Sequence, residues 1–69
     1  MFKISIQNLK GILALDAEFD KTVAELIDEH EKMEASDNYE DIAIHALQAG
    51  KLERKAQDIF NSALELLEG

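Results

Sequence analysis

Residues 51–67, KLERKAQDIFNSALELL, carry the clearest periodicity in the chain. Leu52, Ala56, Ile59, Phe60, Ala63, Leu64 and Leu67 recur at three- and four-residue steps. On a helix of 3.6 residues per turn these positions gather into one apolar stripe, so the spacing predicts a helix over about 51–67. Its first turns carry Lys51, Arg54 and Lys55, the wrong sign for the positive end of a helix dipole. Those cations are expected to face acidic residues elsewhere in the fold.

Toward the N-terminus, Gly50 is placed to end a preceding helix as a left-handed cap. That helix, over about 38–49, would turn Tyr39, Ile42, Ala43, Ala46 and Leu47 inward. A helical glycine costs only about 1 kcal/mol against alanine, so one unbroken helix over 38–67 is the alternative. Ala35-Ser36-Asp37-Asn38 is the best turn in the chain, because Ser, Asp and Asn side chains compete with helix for nearby backbone groups. Asp37 with Glu40 three residues on resembles a capping box.

Before that turn, Phe19, Val23, Leu26, Ile27, His30 and Met33 form another apolar stripe, which predicts a helix over about 17–34. Asp16 and Asp20 are its candidate N-caps. The first fifteen residues admit two readings. Phe2, Ile4 and Ile6 alternate as in a strand, whereas Phe2, Ile6, Leu9, Ile12 and Leu13 fit a helical stripe. A lone strand would need a partner from another subunit, so a helix over about 3–15 is preferred, weakened by Gly11. The expected fold is therefore all-α: a small bundle of three or four helices in one domain spanning residues 1–69.

Residues 46–67 resemble the turn and second helix of a tetratricopeptide repeat, with Ala56, Phe60 and Ala63 at that family's small-large-small spacing. The resemblance implies a scaffold that binds peptides or helices. It covers less than a third of the chain. Gly50 and Ala56 are one residue too far apart, Glu68 stands where proline is usual, and the first-helix signature is missing. A single such repeat cannot bury its own core. The segment is therefore read as a helical hairpin that shares the family's packing logic without membership.

A chain of 69 residues buries only about 60% of its unfolded surface and is marginal alone. It has no cysteine, so disulfides and thiolate metal sites do not contribute. Self-association or docking on a larger protein is the expected supplement. Ile44 and Leu66 lie off the main stripes of their helices and are the candidate apolar partner-binding residues. No apolar run approaches the roughly 20 residues of a membrane span, and the first residues lack a signal-peptide core. The expectation is a cytoplasmic protein with no membrane partner.

Charge is unevenly spread. Eleven of the fifteen acidic side chains fall between Asp16 and Asp41, and with only Lys21 and Lys32 against them that window is at −9 of a total of −8. Four of these acids are explained as helix starts: Asp16, Asp20, Asp37 and Glu40. Glu18, Glu25, Asp28 and Glu29 remain, along one flank of the helix of 17–34, as a candidate acidic partner-binding surface. The plainest account is a solvated face that keeps a small protein soluble.

Motifs for chemistry are thin. His30 reads as a partly buried histidine at a helix end, and Asp41 with His45 as a surface contact. Ile27 and Ile42 stand where a di-iron bundle would need glutamates three residues before its histidines. Ser5, Ser36, Ser62 and Thr22 lack a nucleophile elbow. Asp37-Asn38-Tyr39-Glu40-Asp41 lacks the glycine and alternating ligands of a calcium loop. Direct nucleic-acid binding is disfavoured, since Lys51, Arg54 and Lys55 are the one basic cluster. The expectation is a protein without catalytic residues, metal or cofactor. It would be a small acidic regulator, adaptor or accessory subunit that docks on a protein partner. The alternative is an acidic nucleic-acid mimic, of phage or plasmid type, that inhibits a nucleic-acid-binding protein.

Overall fold

The computed structural model of the chain describes residues 5–68. Two helices account for nearly all of them: α1, Ile6–Ala35, and α2, Tyr39–Glu68, each of 30 residues. They pack side by side as an antiparallel hairpin with extents of 52 × 17 × 14 Å. The radius of gyration is 16.0 Å, against about 11 Å for a globular chain of this length.

This corrects the expected bundle of three or four helices. The helices predicted over 3–15 and 17–34 are one, as are those predicted over 38–49 and 51–67. Residues 3 and 4 of the first prediction, and Phe2 and Ile4 of the strand reading, lie outside the described residues. From Ile6 onward the segment is helix.

The helix ends explain the merger. Ser5 caps α1: its backbone is extended (φ −72°, ψ 155°), and its Oγ accepts the Asn8 amide at 3.0 Å. Asp16 and Asp20, expected as caps, sit in the middle of α1. An aspartate inside a helix loses only a few tenths of a kcal/mol relative to average residues, too little to break a helix whose neighbours on both sides pack. Gly50 likewise lies inside α2 without a positive φ, so it caps nothing.

The loop falls where the sequence places it. Ser36 closes α1, its amide donating to the Met33 carbonyl at 3.3 Å. Its Oγ accepts from the Asn38 amide at 3.2 Å. Asn38, not Asp37, starts α2: its Oδ1 accepts the Glu40 amide at 2.9 Å and its carbonyl accepts the Ile42 amide at 3.0 Å.

The less exposed residues of the helices, apart from Gly11, Val23 and Gly50 on its flanks, define the seam. On α1 these are Asn8, Ile12, Leu15, Phe19, Thr22, Leu26, Glu29 and Met33. On α2 they are Ile42, His45, Ala49, Leu52, Ala56, Ile59, Ala63 and Leu66. The steps alternate four and three on both helices, the 3.5-residue repeat of a coiled coil. Ala49, Ala56 and Ala63 recur every seventh residue of α2 opposite the large side chains of α1, so the helices approach closely. Gly11 adds to this: a Cβ there would lie 3.0 Å from Leu66 Cδ1.

Two kinds of substitution test this geometry. At Gly50 an added Cβ would meet only the Arg54 guanidinium at 3.8 Å. Gly50→Ala should therefore raise stability by about 0.5–1 kcal/mol in a urea titration, and Gly11→Ala should gain less, because Leu66 has to yield. Ala49, buried in the seam, has no room for a larger side chain; Ala49→Leu should lower stability by about 1–3 kcal/mol while α-helical circular dichroism persists at low temperature.

Candidate interaction surfaces

The seam is unusually polar on α1. Thr22 is the most buried residue described, at 1% exposure. Its Oγ1 donates to the Glu18 carbonyl of the preceding turn at 2.9 Å, so the hydroxyl is satisfied within its own helix. Near the chain ends, Asn8 Nδ2 donates to the Leu66 carbonyl at 3.1 Å. That carbonyl belongs to the last turn of α2, where intrahelical donors run out. Near the loop, Glu29 Oε2 lies 2.6 Å from His45 Nδ1 across the seam. These two cross-helix bonds sit close to opposite ends of the hairpin and pin its register.

Residues beside the seam fall on two sides. Phe19, Val23, Leu26, Ala56 and Phe60 line one side, around two adjoining depressions of about 210 and 400 Å³ that share Phe19 and Phe60 and also carry Asp16 and Glu53 in their lining. Lys32, Ser36, Asp41 and His45 line the other. Helical spacing extends both. Leu9 stands fourteen residues before Val23, Leu13 four after Leu9, and Leu64 and Leu67 four and seven after Phe60, which places all four on the side of the depressions. Glu18 and Glu25 stand fourteen and seven residues before Lys32, on the opposite side.

The first side is therefore an apolar groove. The alanines of α2 leave it open, and Phe19 and Phe60 divide it. Leu13, Phe60 and Leu64 are 59%, 53% and 40% exposed. The signal was present in the sequence, since Leu9 and Leu13 lie beside the seam stripe of α1 just as Phe60, Leu64 and Leu67 do on α2. It becomes legible only once the antiparallel pairing shows that the two flanks share a side.

The predicted acidic flank is divided. Glu18 and Glu25 are exposed. Asp28 pairs with Lys32 at 3.0 Å, and Lys32 also lies 3.8 Å from Glu29. Glu29 turns into the seam toward His45 and is 16% exposed in its side chain. The Lys32 ammonium holds its proton above the ordinary lysine range, first because it donates to Asp28, then through the charges of Asp28 and Glu29. A lysine raised in this way contributes fully below its unfolded value and loses the contribution as pH climbs through the folded one. The pair is therefore constant across neutral pH, and water and salt screen it.

Other expected sites are placed as follows. Leu66 faces α1 at Gly11, while Ile44 is exposed, three residues on from Asp41. His30 is exposed beside the stripe assigned to it. His45, expected to meet Asp41, bonds Glu29 instead. Among the described residues Lys51, Arg54 and Lys55 make no ion pair within 4.0 Å, so they do not clasp the acidic window. The turn seen in the tetratricopeptide resemblance at Gly50 is absent, since α2 runs through it. No described helix is long and apolar enough to cross a membrane.

No family model, curated protein or solved structure matches the chain.

The Glu29–His45 bond should be measurable. In a double-mutant cycle of Glu29→Ala and His45→Ala, each single change should cost about 1–3 kcal/mol in urea unfolding, and the double change less than their sum by at least about 0.5 kcal/mol. Additive losses would mean that the two side chains do not couple.

Proposed function

We propose that this protein is a non-catalytic interaction module that docks on a protein partner through the apolar groove between its helices. The observation that carries the reading is the row of exposed apolar side chains, Leu9, Leu13, Phe60, Leu64 and Leu67, beside the groove of Phe19 and Ala56. Contiguous exposed apolar surface on a small chain is unfavourable in water unless a partner covers it. A groove walled by two helices and floored by alanines suits an apolar helical face, which it would contact along several turns. Glu18 and Glu25, on the other side, would remain solvated and keep the docked protein soluble.

The acidic-mimic alternative is less well supported, because Asp28 and Glu29 are engaged with Lys32 and His45. Lys32 also interrupts the row begun by Glu18 and Glu25. Apolar docking and charge mimicry respond oppositely to salt, since screening shortens only the second.

The test is capture from an extract of the native cell with tagged chain. Protein retained by the wild type should stay bound in 1 M NaCl and on a Glu18→Gln/Glu25→Gln variant, and should be lost on Phe60→Glu. Retention unaffected by Phe60→Glu, or abolished by salt and by the glutamine variant, would overturn the groove as the docking surface.

A further inference from the structure

We infer that the occupant of the groove is a second copy of this chain, so that two hairpins pack groove to groove as a four-helix bundle. This rests on the docking reading and names its partner.

The first argument is area. The chain exposes 5484 Å², whereas a folded monomer of its 7.7 kDa exposes roughly 4,300 Å² by the usual scaling of surface with mass. The surplus, roughly 1,150 Å², exceeds the roughly 800 Å² that each partner hides in a standard stable interface. The hairpin thus carries about one interface more surface than a chain of its size leaves uncovered.

The second argument is the core. Among the described residues only Thr22, Ala49 and Ile59 are buried, and one of these three is polar. Two helices with so little buried draw only marginal stability from their own seam for 60 helical residues. The groove is the long side with the most apolar surface left to bury.

The third argument is symmetry and charge. A two-fold contact brings the same surface together from both chains. Here that surface is apolar at its centre, with Leu13, Phe60 and Leu64 against a floor of alanines. Each chain carries −8, and a second copy would be repelled by most of its surface. Glu18, Glu25 and the Asp28–Lys32 pair stand away from the groove, so groove-to-groove packing keeps these charges outward and in water. Of the groove's own lining only Asp16 and Glu53 bring acid near the contact.

The test uses the purified full chain in sedimentation equilibrium from micromolar to millimolar concentration, together with thermal melts over the same range. The wild type should sediment at twice its 7.7 kDa chain mass, and its Tm should rise with concentration, as it does only when folding and association are coupled. Leu13→Glu/Leu64→Glu should weaken self-association by about 30-fold or more. Leu47→Glu, on an exposed residue away from the groove, should leave it unchanged. Leu13 and Leu64 stand exposed in the single hairpin, so loss of helicity in their variant but not in Leu47→Glu also supports the inference. A wild type that stays at single-chain mass with a concentration-independent Tm overturns it, as does a dimer undiminished by Leu13→Glu/Leu64→Glu. A monomer that still captures another protein through Phe60 sinks the second copy and leaves the docking reading standing. A monomer that captures nothing sinks both.

Discussion

Close approach of α2 to α1 is the constraint from which the rest of this structure follows. Ala49, Ala56 and Ala63 stand seven residues apart and turn the smallest apolar side chain toward α1 in every second layer. Two long helices joined by a short loop can run in contact over their whole length only if the seam repeats every 3.5 residues, and it does so on both helices. A larger residue at any of the three layers would lever the helices apart there. The same alanines have a second effect. By filling little of the seam they leave the large side chains of α1, Phe19 above all, half covered on one side. The closeness that makes the hairpin also opens its groove.

The polar members of the seam set register more than strength. An apolar seam of leucines and alanines can slide by a heptad at small cost, because each layer resembles the next. Asn8 can bond the Leu66 carbonyl, and Glu29 can bond His45, in one register only. A slip would bury a carboxylate and an imidazole without partners, which is strongly unfavourable. Thr22 is different, since its hydroxyl is satisfied inside α1 and makes no demand on α2. Its burial is tolerated for that reason, and it contributes shape to the seam without fixing the pairing.

Much of this was legible from residue spacing. The all-helical class, the loop at Ser36–Asn38 and the inner positions Phe19, Leu26, Met33, Ile42, Ala56, Ile59 and Ala63 follow from three-and-four periodicity. Capping residues read locally overstate the breaks. Asp16, Asp20 and Gly50 are acceptable ends taken alone. Each costs at most about 1 kcal/mol inside a helix, while stopping there would forfeit the layers beyond. Asn38 caps where Asp37 was expected, a difference of one residue that follows from where the chain reverses. Glu29 and Thr22 were missed as seam residues because they are polar, and a stripe drawn through apolar residues passes over them to Val23 and His30. The acidic flank drawn from spacing then included Glu29, whose side chain belongs to the seam.

Pairing the helices also changes what the acidic window means. As a list of residues it is a block of like charge between Asp16 and Asp41. Folded, its members part company: Asp16 lines the groove, Glu29 enters the seam, Asp28 holds Lys32, and Glu18 and Glu25 face the side away from the groove. Charge of one sign near an apolar groove would oppose a second acidic chain, and charge on the far side opposes every other approach. A surface of that kind discriminates by repulsion as well as by attraction. The groove's lining carries Asp16 and Glu53 among its apolar residues, so for a body of like charge the hydrophobic effect there works against the repulsion of those two acids, while Glu18 and Glu25 repel from the far side.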